Sequence, residues 1–328
     1  MAARTETFDS KMARAVLPRR EEGAHKWGVG GVFFLAGAPQ YAGAVALSAR
    51  AAGRSGAGIV TLALPRQLMG IVQTIVPEAT MLPLADTDSV ASARRAIESM
   101  AERAEHSKAY VIGPGLGDDD NVKTLLAAIF GVTAPAASAG PALGFAVRRS
   151  DASSARTGET SASDLPDRPM VLDADGLNWL SEQDDWPSLL KNRTVVLTPH
   201  PGELSRLMGQ PVGDLTKDPV AAAIAAAKRA GQTVVFKYGH TVVTDGSRVL
   251  VAESAPTSLA TAGSGDVLSG SIGALLAQGL SPTDAAALAV HVGSRAAILC
   301  AERFGDLGVV ASDLPDAIGQ VLAELGRK

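Results

Sequence analysis

The 328-residue sequence contains a single cysteine, Cys300, which excludes an internal disulfide framework, and no matched Cys/His spacing signals a structural zinc site. It has no basic excess either: 30 Lys and Arg stand against 34 Asp and Glu, a formal charge of −4. Such a chain has no field for gripping nucleic acid. No apolar run reads as reaching the 18 or more residues of a membrane span, because Gly, Gln or charged residues interrupt the longest candidates. The first residues, with Arg4, Glu6, Asp9, Lys11 and Arg14, lack the apolar core of a secretory signal. These absences predict a soluble protein of a reducing, cytoplasmic compartment, with neither nucleic acid nor membrane as partner.

What is present is a sequence 46% hydrophobic and 20% charged, able to bury the core of one large domain or two small ones. Short β-rich runs alternate with helical ones. Val32-Phe33-Phe34-Leu35 precedes a small-residue helix over 41–54, and a strand over 58–62 follows. The alternation returns at 109–112 with 121–130, at 170–172 with 177–180, and at 195–197 with 202–208. Residues 234–237 read as another buried strand, and 242–244 with 249–252 read as a hairpin around Asp245-Gly246. The C-terminal third reads as helical. Repeated βα units predict an α/β fold with a mostly parallel central sheet and helices on both faces. Residues 1–24 are expected to form a flexible extension, with one domain over 25–328. Residues 133–168, rich in Ala, Ser, Gly and Pro and without either period, are expected to form a flexible insertion.

In such sheets ligands gather beyond the carboxyl ends of the strands, and five turns there carry unusual chemistry. Thr261-Ala262-Gly263-Ser264-Gly265-Asp266 opens a helical run, so its N–H groups can bind phosphate oxygens. Asp266 in that first turn can take a proton from a hydroxyl attacking phosphorus; helix capping by Ser264 or Asp266 is the structural alternative. Thr198-Pro199-His200-Pro201-Gly202-Glu203 presents His200 between prolines, either to a ligand or as a cap. Gly113-Pro114-Gly115-Leu116-Gly117 offers either a close backbone approach to substrate or a tight strand-to-helix connection. Asp173-Ala174-Asp175-Gly176-Leu177-Asn178 pairs carboxylates that can hold Mg²⁺ or cap a helix. Lys237-Tyr238-Gly239-His240-Thr241 can frame nucleotide phosphates or form a surface hairpin. Neither a P-loop nor the dinucleotide fingerprint of a first βαβ unit is present.

An anion-binding Gly-x-Gly-Asp helix start late in an α/β chain resembles the ribokinase-like kinases. Within that superfamily the chain is most similar to the ADP- or ATP-dependent NAD(P)H-hydrate dehydratases. The resemblance runs through His25-Lys26, Tyr41-Ala42-Gly43-Ala44, Arg54-Ser55-Gly56-Ala57-Gly58, Pro77-Glu78, the five turns, His291-Val292-Gly293 and Ala311-Ser312-Asp313-Leu314. It implies a ribokinase-like fold and dehydration of the S epimer of NADHX or NADPHX, with ADP giving AMP and phosphate, or ATP giving ADP and phosphate. ADP is the expected donor, and Mg²⁺ would accompany it. Carried over by position, Ala44, Gly115, Gly117, His200 and Asp266 would contact the hydrate. Lys237, Tyr238, Gly239, His240, Thr241, Gly263, Ser264 and Gly265 would contact the nucleotide, with Asp266 as general base.

The resemblance also implies a homo-oligomer, a tetramer among its forms, and a separate NAD(P)HX epimerase as functional partner, since the short N-terminal tail leaves no room for an epimerase domain. Two departures stand out. Tyr238 replaces the family's glycine after the lysine, so its side chain must stack on the base or point away. Trp27-Gly28-Val29-Gly30 replaces a Gly-Asp-containing turn, so the edge of the hydrate pocket is expected to differ. Two alternatives share this equipment: a kinase for a vitamin precursor such as hydroxyethylthiazole or a pyridoxal-like alcohol, and a non-catalytic nucleotide-binding protein.

Overall fold

The computed structural model describes residues 5–132 and 165–327. Ten strands form one sheet: β1 (Thr5–Phe8), β2 (Gly31–Leu35), β3 (Ile59–Pro65), β4 (Thr80–Leu84), β5 (Ser107–Ile112), β6 (Met170–Leu172), β7 (Val195–Leu197), β8 (Thr233–Phe236), β9 (Val242–Thr244) and β10 (Val249–Ala252). Their order is β1-β10-β9-β8-β7-β6-β5-β2-β3-β4. All pairs are parallel except β8 with β9 and β9 with β10. The chain runs outward from β2 to β4, then returns to β5 beside β2 and continues the other way. The crevice of such an α/β sheet therefore lies beyond the carboxyl ends of β2 and β5.

The strands read as unbroken apolar runs because both faces are covered. Val32, Phe34, Val111, Val171 and Val235 face one layer, which packs on the helices Ala42–Arg54, Ser264–Ala277, Pro282–Phe304 and Leu314–Gly326. Their neighbours Phe33, Leu35, Ile112, Leu172 and Phe236 face the other, packed on Val90–Arg103, Asp120–Phe130, Asp175–Ser181, Pro201–Met208 and Pro219–Ala230. Successive side chains on a strand point to opposite faces, and here each face ends in core.

Three expectations need correction. Residues 5–16 are built into the body, not an extension: β1 adds in parallel to β10, pairing Thr5 with Val249 through Phe8 with Ala252. The Ser10–Val16 helix, capped by Asp9 accepting from the Met12 N–H at 2.8 Å, follows it. Ser10 Oγ lies 3.3 Å from Nε2 of the buried His291. A four-residue strand with three polar residues carries no readable period, and its partner is 244 residues away, from Thr5 to Val249. The Pro282–Phe304 helix, 23 residues long, is apolar and long enough to cross a membrane by composition, contrary to the reading of the apolar runs. Its Ala-rich faces are instead mostly buried inside the fold, where small side chains let neighbouring helices approach. Finally, the expected insertion over 133–168 lies mostly outside the described residues, but its last four are ordered against the sheet: Arg168 Nε donates to Ser107 O at 3.0 Å and Tyr110 Oη to Pro166 O at 3.1 Å.

Candidate active site

The turns after β5, β6, β7 and β8 stand side by side at one end of the sheet, because these four strands are adjacent and parallel. Buried polar groups tie them together. Asp173, 1% exposed, accepts from Thr198 Oγ1 at 2.7 Å and from Lys237 Nζ at 2.9 Å, both on the same carboxylate oxygen. Lys237 also lies 3.9 Å from Glu203 Oε2, and its backbone N–H donates to Pro199 O at 2.9 Å. Burial works against the lysine charge, but Asp173 and Glu203 outweigh it and hold its pKa above the ordinary value. The cation is thus retained for electrostatic work.

Asp175, in the following turn, accepts from the Gly117 N–H at 2.8 Å and from Asn178 Nδ2 at 3.3 Å. It stitches the glycine-rich turn to its neighbour and does not cap its own helix. Ala174 between the two carboxylates adopts φ 47°, a conformation an L residue holds only where its surroundings dictate it. That kink sends Asp173 inward and Asp175 across to Gly117. Gly113, at φ 119°, takes up the other side of this crossing, and a Cβ there would overlap the Asp173 carbonyl oxygen. Among the described residues no three His, Cys, Asp or Glu side chains converge as a metal cage, and Asp173 already accepts two donors on one oxygen.

His200 is both cap and ligand candidate. Its Nδ1 accepts from the N–H groups of Gly202 (3.0 Å) and Glu203 (3.3 Å), while Glu203 Oε2 accepts from the His200 N–H at 2.7 Å. This reciprocal arrangement satisfies the open helix start and leaves Nε2 as the nitrogen carrying the proton of a neutral ring. Burial, with Lys237 and Arg206 nearby, lowers the His200 pKa and keeps the ring neutral. Glu203 itself is raised, mainly by burial and also by Asp173, against the pull of Lys237.

Asp266 completes the cluster. The Ser264–Ala277 helix starts at Gly263 without any side-chain cap, so neither Ser264 nor Asp266 plays the capping role weighed from sequence, and Ser264 Oγ donates instead to Leu259 O at 2.9 Å. The Ser264 N–H donates to Thr261 O at 3.3 Å, which leaves those of Gly265 and Asp266 for a ligand. The Asp266 carboxyl is pushed up to about 7, by burial first, then by Asp173, against Lys237 and with Asp175 adding to the rise. A carboxylate with a pKa near neutrality is suited to accept a proton from a hydroxyl.

Beside this cluster lies a cavity of about 310 Å³, within the range of small-molecule sites. Lys237, Tyr238, Gly239, Thr241, Ser264 and Gly265 line it, six of the eight residues expected to contact a nucleotide. His240 and Gly263 do not: His240 Nδ1 is 2.8 Å from Ala252 O, bracing the hairpin, and Gly263 packs against Leu47 and Ala311. Ala44, Gly115, Gly117 and His200 stand outside this cavity, Gly115 directly against Ala44 and Tyr41. Of the remaining wall, Leu268 follows Asp266 on its helix and Leu314 closes the Ala311–Leu314 motif, while Pro256, Leu259, Val290 and Ile318 belong to no motif. Asp173, Thr198 and Glu203 were visible only as parts of their turns. Trp27 to Gly30 lie at the amino end of β2, and the backbone of Gly30 abuts Ala277 at the far end of the Ser264–Ala277 helix. At 1.5 Å per residue, the helix from Asp266 to Ala277 puts this segment roughly 17 Å from Asp266, so the expectation that it edges the hydrate pocket is corrected.

A mostly parallel sheet with an uncapped, glycine-rich helix start near the chain's end is the ribokinase-like architecture. A solved ribokinase-like superfamily protein from Enterococcus faecalis superposes with a TM-score of 0.76 at 21% identity, covering 99% of this chain and 97% of its own. The ADP/ATP-dependent NAD(P)H-hydrate dehydratase from Bacillus subtilis, co-crystallised with ATP and Mg²⁺, does so with a TM-score of 0.76 at 24% identity and 99% coverage of both chains. The NAD(P)H-hydrate dehydratase family model matches residues 32–160 and 159–320. The bifunctional NAD(P)H-hydrate repair enzyme Nnr of Salinibacter ruber is 39% identical over 97% of this chain and 53% of its own length. The chain belongs to the NAD(P)H-hydrate dehydratase family. It spans about half the length of the curated relatives it matches.

Proposed function

We propose that the protein dehydrates (6S)-NADHX or (6S)-NADPHX at the expense of a nucleotide, with ADP giving AMP and phosphate, or ATP giving ADP and phosphate. The observation that carries this reading is the surroundings of Asp266: its helix start lines the cavity through Ser264 and Gly265, and its buried carboxyl feels the charges of Asp173, Lys237 and Asp175. Hydroxide is a poor leaving group, so the C6 hydroxyl of the hydrate is first phosphorylated. Asp266 takes the hydroxyl proton as oxygen attacks the terminal phosphorus and the nucleotide departs, a role worth about 10² to 10⁴ in rate. The Gly265 region of the helix start and Lys237 stabilise charge on the transferred group. The ring nitrogen lone pair then expels phosphate, and loss of a proton from C5 restores the dihydropyridine.

Ala44, Gly115, Gly117 and His200 would hold the hydrate, the small residues letting its ring approach the backbone. Lys237, Tyr238, Gly239, Thr241, Ser264 and Gly265 would hold the nucleotide. With no three-ligand protein cage among the described residues, Mg²⁺ would enter on the nucleotide's phosphate oxygens and waters, as is usual for this ion, and would neutralise phosphate charge there. The described residues, with β1 in the same sheet, would act as one catalytic domain, in a cytoplasmic homo-oligomer. The class of reaction that must supply its substrate is inversion of the R hydrate to the S epimer.

The test is absorbance at 340 nm with NADH hydrate containing the S epimer, Mg²⁺ and either ADP or ATP, alongside a phosphate assay. Recovery of absorbance with equal phosphate release is expected, and the effective nucleotide identifies the donor. Folded protein giving no recovery with either donor would sink this assignment in favour of a small-alcohol kinase, which keeps its phosphorylated product.

A further inference from the structure

Tyr238 stands at the rim of the nucleotide cavity, where it lines the wall and remains 42% exposed. Its ring is held near-parallel to Phe236, with 25° between planes and 6.1 Å between centroids, and Phe236 is wholly buried at the end of β8. The cavity is chemically two-ended. Lys237 and the uncapped helix start at Gly265 form a polar end that bears donors, while Leu259, Leu268, Val290, Leu314 and Ile318 supply apolar wall. A nucleotide whose phosphates take the first end leaves its flat base beside the remaining wall, and Tyr238 is the aromatic group among the lining residues.

We infer that Tyr238 is an affinity-determining residue of this site, offering its ring face as a platform on which the base of an adenine nucleotide stacks. The inference rests on the nucleotide reading above and goes beyond it, since a glycine at this position has no ring to offer. Phe236 fixes the plane of the platform before binding, so little side-chain freedom is lost on contact. The hydroxyl has no part in this role; the π-face does the recognising.

The full chain is titrated with fluorescent 1,N6-etheno-ADP in the presence of Mg²⁺, and ADP and inorganic pyrophosphate are used as competitors. Tyr238→Gly removes the ring, Tyr238→Leu keeps bulk without a ring, and Tyr238→Phe keeps the ring without the hydroxyl. Gly and Leu are expected to weaken ADP by about 5- to 100-fold, the range measured for base–aromatic stacking, while the competition by pyrophosphate changes far less. Phe is expected to recover what Gly loses. The platform is overturned if Gly binds ADP like the parent, if Phe loses as much as Gly, or if pyrophosphate weakens in step with ADP. A parent protein that binds neither ADP nor ATP overturns the nucleotide site itself, which the parent titration reveals before any variant is made.

Discussion

The two halves of the candidate site are built by different physics. The acceptor side is made of backbone and buried charge: Gly113, Ala174 and Gly117 take conformations that bring three turns together, and Asp173, Asp175, Lys237 and Glu203 lock them by hydrogen bonds and ion pairs. The nucleotide side is mostly apolar wall from a hairpin and three helices, with donors at one end only. The first has almost no room to change without moving its neighbours, while the second tolerates exchange of side chains. The proposed phosphoryl transfer would ask for this division, since positioning and electrostatics supply most of such catalysis and the nucleotide's distal parts would need only to be held.

The sharpest break of that comparison is Asp266→Asn, expected to lower turnover by at least about 10²-fold while nucleotide affinity, measured by the same fluorescent titration, stays nearly intact. A parallel loss of affinity would place Asp266 on the nucleotide side. Its raised pKa sets two pH signatures. Turnover of the parent falls as pH drops through about 7, where the base takes a proton. Stability runs the other way: the folded state binds this proton more tightly than the unfolded chain, whose carboxyl titrates near 3.8. The contribution present at low pH is therefore lost as pH rises through about 7, and Asp266→Asn, neutral throughout, flattens that fall in denaturation curves between pH 4 and 8.

Gly113→Ala probes the rigidity of the acceptor side and should cost roughly 3 kcal/mol in urea unfolding, because a positive φ and an overlap with the Asp173 carbonyl must both be relieved. Lys237→Met strips Asp173 and Glu203 of their counter-ion. The loss should be about 2 kcal/mol at pH 8, below the full value for a buried pair because the lysine side chain is 19% exposed. It should shrink at pH 5, where Glu203, its pKa raised by burial, binds a proton instead. The smallest effect belongs to Gly239→Ala on the nucleotide side. That glycine has φ 53° but open space around it, so only left-handed strain of about 1 kcal/mol applies. Equal costs at Gly113 and Gly239 would erase the proposed difference between the halves.

Strands buried on both faces were readable to the residue: 170–172, 195–197, 242–244 and 249–252 coincide with β6, β7, β9 and β10, since a continuous apolar run between turn residues has few other fates. The edge strands escaped. In β4, Thr80–Leu84 carries Pro83 and is only partly buried, and β1 is polar and short. An edge strand owes its conformation to one neighbour, not to its own pattern. Six of the expected nucleotide contacts line the cavity because their motifs are contiguous in the chain. The apolar wall was unreadable, because Leu259, Val290 and Ile318 look like any other core residues until packing leaves a space between them.

The sequence by itself determined the alternation of elements, the turns that carry charge and glycine, and membership of the NAD(P)H-hydrate dehydratase family, all read from local runs a few residues long. Only the tertiary structure decided that Asp173 serves Lys237 and Thr198, that Asp175 serves Gly117, that Trp27 lies at the far end of the sheet, and that Tyr238 faces a cavity. Each of these depends on which strands are neighbours. Neighbourhood in a parallel sheet is settled by burying two helical layers at once, a global requirement that no local run of residues encodes.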